Sequence, residues 1–334
     1  MVIEQTWSLE KVLKETTRVR LYAEPISETV DSPWLALPKG MVKKLGKAIG
    51  CADYQAHEGL GLTPRGVFLA ELLTEDKEYA TLKNASSWSG AKMVIEKEVI
   101  RKVKKEVVYP IIFGREIDRW RITKARDYFS IILYNSKTGK VYSEGFVKVN
   151  FSSAHSYYNE FEKIILEAAN YKQYGKGQPF YFIHRMSKNI FSRFKVVWGE
   201  VGTEVNAAVV ASTSSSSKGF LIPDYTCVYI PLSSEDEAHY ICAILNSCVS
   251  QTITSYIHLH PDPHVLENVR IEKYDKSNKL HQSISSLSRI AHRFALQSNN
   301  SKLTVAERKI DLLVGKLYGF SPIEVRDLRK YLEK

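Results

Sequence analysis

The sequence predicts an α+β fold in which mixed strands and helices are followed by a helical C-terminal part. Three observations lead to this class. Short β-rich runs fill much of the first two thirds, apolar residues recur at helical spacing in the last third, and no internal repeat is present. We therefore expect a sheet-rich domain with a mixed or antiparallel sheet and a helical region after it.

Three regions are expected along the 334 residues. Residues 1–20 form an N-terminal helix or a linker, and residues 21–232 form the sheet-rich domain. Residues 233–334 form a helical region that packs on this domain or on a partner subunit. A chain of this length is long enough to bury a sizeable core.

Strands are predicted where apolar runs rich in β-branched and aromatic residues stand between turn residues. In chain order these runs are VFLAELL, YATLKN, MVIEKEVI, VVYPIIF, DYFSIILYN, KVYSEGF, PFYFIHRM, FKVVWGEV, NAAVVAS and FLIPDYTCVYIPL. Pro110 limits VVYPIIF to a sheet edge or a strand start, because proline has no N–H to donate. The run STSSSSKG (212–219) interrupts the strands and predicts a mobile surface loop.

Helices are predicted where apolar residues recur every three to four positions behind a capping residue. They are expected in LPKGMVKKLGKAI, FEKIILEAANYKQYG, EDEAHYICAILNSCVSQTITSYI, HQSISSLSRIAHRFALQ, AERKIDLLVGKLYGF and SPIEVRDLRKYLEK, and residues 7–20 form a short helix or a linker. Ser234 with Glu237, and Ser321 with Glu324, have the spacing of a capping box. These two pairs predict where a helix begins.

The chain is basic, with 47 Lys and Arg against 37 Asp and Glu and a formal net charge of +10. This excess suits an acidic partner, most often a nucleic acid. The four cysteines have no CxxC pairing, which favours a reduced, cytoplasmic compartment. No stretch reaches the roughly 18 apolar residues of a membrane span, so we expect a soluble protein without a membrane partner.

Motifs for catalysis and cofactors are weak. HLHPDPH places His258, His260 and His264 together, but its prolines favour a surface loop over a metal site. EGLGLTPRGVF lacks the strand and helix context of a dinucleotide loop, although as a turn it would carry Arg65 beside a sheet. No G-x-S-x-G elbow occurs, and no two carboxylates are paired by spacing. We therefore expect no bound metal, and the sequence gives no positive sign of catalysis.

Two basic runs give the stronger signal. Residues 92–126 contain eleven Lys and Arg against five Asp and Glu, and HRMSKNIFSRFK (184–195) has four Lys and Arg, one His and no acid. A solvated face is the simpler interpretation of either run alone, whereas two runs flanked by strands favour a groove that follows phosphates. The candidate DNA-binding residues are Arg65, Arg115, Arg121, Lys124, Arg126, His184, Arg185, Lys188, Arg193 and Lys195.

YPIIFGREIDRW (109–120) joins an apolar run, a glycine turn and alternating charges. Trp120 and Ile117 are expected in the core, because aromatic residues bury more often than they stack on bases. Arg119 has Asp118 and Glu116 as potential ion-pair partners in its own segment. The neighbouring basic residues are expected to face phosphate, or one of them a guanine edge, since the planar arginine fork suits both.

The same segment resembles the Tyr-Pro-x-x-x-Gly-[Arg/Lys]-[Asp/Glu]-Ile-x-Arg-[Trp/Tyr] signature in the target-recognition region of N6-adenine DNA methyltransferases. These include type IIG restriction–modification enzymes with a TaqI-like C-terminal specificity domain. HEGLGLTPRGVF, FKVVWGEVG, and LIPDYTCVYIPL followed by EAHYICAILNS are similar to further motifs of that region, in the same order. The resemblance spans roughly residues 50–275.

The resemblance implies a specificity module that reads duplex DNA for a methyltransferase or restriction catalytic subunit. The family's [Asn/Asp/Ser]-Pro-Pro-[Tyr/Phe/Trp] motif and its glycine-rich turn for S-adenosylmethionine do not occur in this chain. We therefore expect no cofactor, and neither S-adenosylmethionine binding nor DNA methylation by this chain alone. Two alternatives stay open: a nuclease or methyltransferase with unrecognised motifs, and a protein-interaction scaffold whose basic charge is incidental.

Overall fold

The computed structural model describes residues 7–16, 20–25, 29, 32, 34–37, 39–86, 95–123, 127–212, 220–257 and 260–332. The chain divides into two compact units, Met1–Lys47 and Ala48–Lys334. The boundaries expected at residues 20 and 232 do not coincide with this division. Helices and antiparallel strands occur together, so the predicted α+β class is confirmed.

The first unit holds α1 (Leu9–Glu15), β1 (Tyr22–Pro25), β2 (Trp34–Leu37) and α2 (Met41–Leu45). α1 lies within residues 1–20, for which a helix or a linker was expected, and it begins at Ser8, whose hydroxyl accepts a hydrogen bond from the Lys11 N–H at 3.2 Å. β1 and β2 pair antiparallel. α2 is shorter than its sequence pattern predicts.

The second unit contains two larger sheets. Its strands are β3 (His57–Glu58), β4 (Ala70–Glu75), β5 (Tyr79–Asn84), β6 (Ile100–Lys104), β7 (Val108–Ile112), β8 (Ile117–Asp118), β9 (Arg121–Ile122), β10 (Phe129–Ile131), β11 (Phe194–Gly199), β12 (Ala208–Ala211), β13 (Ile222–Pro223) and β14 (Cys227–Leu232). One sheet has the order β13-β7-β10-β4-β5-β6, and the other has the order β12-β11-β14-β3. β8 and β9 form a separate antiparallel pair.

Helices pack on both of these sheets. They are α3 (Arg65–Phe68), α4 (Glu144–Asn150), α5 (Ser152–Asn159), α6 (Glu162–Glu167), α7 (Glu235–Leu245), α8 (Cys248–Ile257), α9 (Val265–Asn268), α10 (Lys279–Leu296), α11 (Asn300–Leu317) and α12 (Pro322–Leu332). α5 packs on β6, whereas α7 packs on β11, β12 and β14 and is covered by α10. The C-terminal helices therefore belong to the same compact unit as the sheets.

Both predicted capping boxes begin a helix. The Glu237 N–H donates to Ser234 Oγ at 3.4 Å at the start of α7. At the start of α12 the Ser321 N–H donates to Glu324 Oε2 at 2.9 Å, and the Glu324 N–H donates to Ser321 Oγ. The sequence signal for these helix starts is confirmed.

The long helix expected over residues 235–257 is two helices, α7 and α8. The Asn246 amide exchanges two hydrogen bonds with the backbone of Ala207, at 2.9 and 2.8 Å. Ser247 Oγ then accepts from the Ser250 N–H at 3.3 Å, as a capping residue does. These side-chain bonds compete with the helical backbone and break the helix.

Several strand predictions are wrong. KVYSEGF leads into α4, which Ser143 caps through its hydroxyl, and PFYFIHRM forms turns with an isolated bridge between Gly61 and His184. β4 starts only at Ala70, because the residues before it form α3. Of MVIEKEVI, residues 93–94 lie outside the described residues, and only Ile100 joins a strand. The helix predicted over 161–175 ends at Glu167 and is followed by a π-helical turn.

Pro110 lies inside β7, an inner strand of the six-stranded sheet rather than an edge strand. The Ile111 N–H donates to Tyr128 O at 2.9 Å, on the side of β10. Because neighbouring residues of a strand direct their N–H groups to opposite sides, the Pro110 nitrogen faces away from β10. The pairing with β13 starts only at Ile111. Proline at this position therefore removes no hydrogen bond to a neighbouring strand.

The six-stranded sheet packs against α5 in an apolar core. Two fully buried tyrosines of α5 tie the helix to this core: Tyr157 Oη donates to Val67 O at 2.7 Å, and Tyr158 Oη donates to Ile131 O at 2.6 Å. Each hydroxyl is thus satisfied inside an apolar environment. In the part of the chain that the structure describes, no helix has the length and apolar character needed to cross a membrane.

The predicted surface loop at 212–219 lies mostly outside the described residues, which resume at Phe220. Its first residue, Ser212, is buried, and the Ser212 N–H donates to Arg193 O at 2.8 Å. For Ser212 the prediction is wrong, because this bond keeps the residue in register at the end of β12.

Candidate nucleic-acid interface

Gly59 and Gly114 approach the turn at residues 224–226, and Gly199 approaches Gly114; we call this arrangement the glycine crossing (Gly59, Gly114, Gly199 and residues 224–226). A Cβ added to Gly59 would lie 2.2 Å from Asp224 O, and one added to Gly114 would lie 2.3 Å from Thr226 O. One added to Gly199 would lie 3.1 Å from Gly114 O. The backbones therefore approach so closely that a side chain at Gly59 or Gly114 would push them apart.

Hydrogen bonds hold the glycine crossing together. The Gly114 N–H donates to Thr226 Oγ1 at 2.9 Å, and the Gly59 N–H donates to Cys227 O at the same distance. The Glu200 N–H donates to Thr226 O, also at 2.9 Å. Three separate segments are thus fixed to this turn and to Cys227, the residue that follows it.

The glycine crossing brings together four motifs that are far apart in the sequence. HEGLGLTPRGVF supplies Gly59, YPIIFGREIDRW supplies Gly114, FKVVWGEVG supplies Gly199, and LIPDYTCVYIPL supplies the turn at residues 224–226. The glycine turn inside YPIIFGREIDRW thus has a structural cause, because the chain must pass against Thr226 there.

Arg65 lies inside the glycine crossing. Its Nη2 donates to Asp224 Oδ1 at 2.8 Å, and the Asp224 carboxylate also accepts from the Thr226 N–H and hydroxyl. Burial raises the pKa of Asp224, while the Arg65 guanidinium acts in the opposite direction. The guanidinium also lies 4.6 Å from the ring centroid of Tyr225. With only 16% of its side chain exposed, Arg65 stabilises the crossing and offers little surface to a phosphate.

Arg185 lies beside the glycine crossing and is held from both ends. Its backbone is left-handed, with φ of 64°, and the preceding carbonyl of His184 accepts from the Gly61 N–H at 3.1 Å. Its Nη2 forms an ion pair with the carboxylate of Glu58, the residue before Gly59. The side chain nevertheless keeps 35% of its surface exposed. The guanidinium is therefore fixed but accessible.

His184, another candidate residue, stacks on Tyr174. The two ring centroids are 3.8 Å apart with an interplanar angle of 19°. Burial and the neighbouring Arg185 lower the pKa of His184, so the ring is neutral near pH 7. One ring face is thus covered by protein, and the residue adds no positive charge at this pH.

The remaining cations of residues 184–195 differ sharply in exposure. Lys188 and Arg193 are exposed, and the Arg193 guanidinium lies 5.1 Å from the ring centroid of Phe194. Lys195 is fully buried, and its Nζ donates to Ser192 O at 2.8 Å. Burial lowers the pKa of Lys195 to about 7. The prediction that Lys195 contacts DNA is wrong for this conformation, because its ammonium lies inside the protein.

The first basic run, residues 92–126, is largely paired within the protein. Its described ion pairs are Lys97–Glu160, Arg101–Glu160, Lys102–Asp76, Lys105–Glu75, Arg119–Glu307 and Arg121–Asp118, at 2.7, 2.7, 2.8, 3.4, 3.8 and 3.0 Å. These pairs offset most of the local positive charge. Lys124 and Arg126 lie outside the described residues.

Arg115 is the exposed cation of YPIIFGREIDRW, and its guanidinium lies 5.5 Å from the ring centroid of Phe113. The neighbouring Glu116 is buried and accepts from the Phe113 N–H at 3.0 Å. Burial raises the pKa of Glu116 to about 7. Near neutral pH this carboxyl therefore carries only part of a negative charge beside Arg115.

The expected core role of Trp120 and Ile117 is confirmed, since both side chains are buried. Trp120 Nε1 donates to Glu307 Oε1 at 2.9 Å, so its one polar group is satisfied on α11. Arg119 pairs with the same Glu307 rather than with Asp118 or Glu116. The partner lies too far along the sequence for local spacing to predict it.

Sequence reasoning missed a groove beside Arg185. It has a volume of about 430 Å³ and is lined by side chains of β3, β14 and residues 185–189. Asn189 Nδ2 lies 3.4 Å from His57 Nε2 on one wall, and Glu58 lies on the same strand as His57. Nothing in the spacing links residues 57–58 to residues 185–189. A sequence cue to this groove was the position of Glu58, which directly precedes Gly59 of the glycine crossing.

The histidine-rich segment HLHPDPH is described only from His260 onwards. His264 Nδ1 lies 2.7 Å from Glu267 Oε1 in an exposed pair. Among the described residues, no group of three or more His, Cys, Asp or Glu is arranged to hold a metal ion.

Comparison with known proteins adds no relative: no family model matches this chain, and a search of the curated proteins finds no match. The functional interpretation therefore depends on the residues of the glycine crossing and on the cations beside it.

Proposed function

We propose that this chain binds duplex DNA as the sequence-reading module of an N6-adenine methyltransferase or restriction–modification system. The chemistry would be supplied by a catalytic subunit, because this sequence lacks the motifs for S-adenosylmethionine and the flipped adenine. The observation that carries the proposal is the row of exposed cations Arg185, Lys188 and Arg193 on one segment beside the glycine crossing.

Arg115 extends this row. It directly follows Gly114, and the Glu58 that holds Arg185 directly precedes Gly59. Because Gly59 and Gly114 both approach the turn at residues 224–226, we infer that the two arginines lie near the same crossing. Exposed cations gathered on one surface attract phosphates and release their counterions.

The distribution of ion pairs supports the same surface. Lys102 and Arg101 on β6 lie against carboxylates of Asp76 and Glu160. Lys188 has no carboxylate partner among the described residues, and Arg193 contacts an aromatic ring rather than an acid. Lys188 and Arg193 are therefore exposed cations without a carboxylate partner in the part of the chain that the structure describes, whereas Arg101 and Lys102 are paired.

Measurement of binding to a long duplex of random sequence at low salt tests the proposal. Fluorescence anisotropy is expected to give lower affinity for Lys188→Ala and Arg193→Ala than for the unmodified protein, since each loses a phosphate contact. Lys102→Ala is the matched control, because its ammonium is already held by Asp76 at 2.8 Å. Equal effects of all three substitutions would mean that the row at residues 185–193 is not the contact surface.

A further inference from the structure

Arg185 differs from the other exposed cations in how firmly it is held. A left-handed φ of 64° is unfavourable for a residue with a side chain, and such conformations persist where the surroundings impose them. Here the hydrogen bond from the Gly61 N–H to His184 O and the ion pair with Glu58 impose it. The fold thus fixes both the backbone and the guanidinium of this residue.

The neighbouring cations are held differently. Lys188 presents an exposed ammonium, and Arg193 lies against the ring of the adjacent Phe194. Arg121 has its fork occupied, since Nε and Nη2 donate to Asp118 Oδ2 and Nη1 donates to Ala295 O at 3.4 Å. Flexible point charges suit phosphates, whereas reading a base edge requires an oriented fork.

The ion pair leaves most of the Arg185 fork available. Arginine has five N–H donors, and the recorded pair with Glu58 involves the single nitrogen Nη2. Guanine presents two acceptors, N7 and O6, side by side in the major groove, and they match two parallel donors of one guanidinium. A carboxylate behind the fork limits its rotation and so lowers the entropy lost on binding.

A second carboxyl group, that of Glu200, lies near Glu58 and Arg185. Burial and the nearby Glu58 raise the pKa of Glu200, which follows Gly199 of the glycine crossing. Glu58 is the carboxylate in direct contact with the Arg185 guanidinium.

We propose that Arg185 reads a guanine in the major groove of the target duplex, and that Glu58 is the positioning residue that orients its guanidinium. This inference rests on the proposed DNA-binding function. Lys188 and Arg193 then contact phosphates and carry no sequence information.

The test starts with selection of preferred duplexes from a randomised pool by the intact chain. Affinities are then measured for the selected duplex and for duplexes with each base pair replaced in turn. Arg185→Lys keeps the charge but loses the fork, so it should lose about 5- to 150-fold of discrimination at one G·C pair. Its affinity for random duplex should stay close to that of the unmodified protein.

Two further variants separate the roles. Lys188→Ala should lower the affinity for all duplexes by the same factor and leave the discrimination between base pairs unchanged. Glu58→Gln should reduce discrimination at the same G·C pair as Arg185→Lys while keeping or raising affinity for random duplex, because a negative charge is removed. A merely structural role of Glu58 would instead lower specific and random binding together. Thermal melting of each variant identifies loss of folding.

The outcomes distinguish the inference from the proposed function. If Arg185→Lys keeps full discrimination at every position of the selected site, Arg185 does not read a base, although sequence-specific DNA binding stands. If the unmodified protein shows no salt-dependent affinity for duplex DNA, the proposed function fails and the inference fails with it.

Discussion

Replacement of the buried Lys195 by methionine should stabilise the protein near neutral pH and remove part of the pH dependence of its stability. The Lys195 side chain is fully buried in β11, and its Nζ has Ser192 O as a hydrogen-bond acceptor at 2.8 Å. Burial lowers the pKa of the ammonium from 10.5 to about 7. Methionine has a similar length and needs no such partner, so it avoids burying a charge.

The magnitude follows from proton linkage. Between pH 7 and pH 10 the unfolded chain keeps Lys195 protonated while the folded protein holds it increasingly neutral. The unfolded state therefore binds more protons, and the free energy of unfolding rises with pH in this window. With the folded pKa at about 7, the contribution of Lys195 rises by about 2 kcal/mol between pH 7 and pH 9.

Urea denaturation at pH 7 and pH 9 measures this contribution. The stabilisation of Lys195→Met over the unmodified protein should be larger at pH 7 and smaller at pH 9 by about 2 kcal/mol. Packing differences between lysine and methionine cancel in this comparison because they do not depend on pH. Lys188→Met is the control, since Lys188 is exposed and should show no such change. If Lys195→Met and the unmodified protein differ in free energy of unfolding by the same amount at pH 7 and pH 9, the lowered pKa of the buried lysine is refuted.

Further predictions concern the glycine crossing, a buried acid and the cofactor. Gly114→Ala should lower the melting temperature, because its Cβ would lie 2.3 Å from Thr226 O, whereas Gly145→Ala has open space in α4 and should not; equal melting of the two variants would contradict the close approach. Burial raises the pKa of Glu116 from 4.5 to about 7, so the folded state binds more protons and the free energy of unfolding should fall as pH rises from 4.5 to 7. In urea denaturation of Glu116→Gln, the free energy of unfolding should fall less over this pH range than it does for the unmodified protein. An equal fall in the two proteins would argue against the raised pKa. Calorimetric titration of the chain alone with S-adenosylmethionine should give no binding heat, and micromolar binding would favour the methyltransferase alternative.

Local signals predicted the elements that depend on local interactions. Ser234 and Ser321 cap α7 and α12 as expected, and the apolar spacing predicts α10 and α11. The strand prediction for KVYSEGF was wrong because the Ser143 hydroxyl caps a helix inside a pattern that otherwise favours a strand. The same apolar residues suit either element, and one side-chain hydrogen bond decides between them.

The site was less predictable because its residues meet only in the folded chain. Lys195 is the charged residue of FKVVWG and was expected to face a phosphate, yet both faces of β11 are covered and all but the last residue are buried. Acidic partners of the first basic run, such as Glu160 and Asp76, lie in other elements. The motifs did indicate Gly59 and Gly114, although only the fold brings them to one turn.

The salt dependence of affinity for a long random duplex tests the central claim most directly. Anisotropy titrations over a series of salt concentrations should give an affinity that falls steeply with salt for the unmodified protein. The double variant Lys188→Ala/Arg193→Ala should have a slope of log affinity against log salt that is shallower by about 1.8, or about 0.9 for each lost phosphate contact. An affinity of the unmodified protein that does not change with salt would contradict DNA binding.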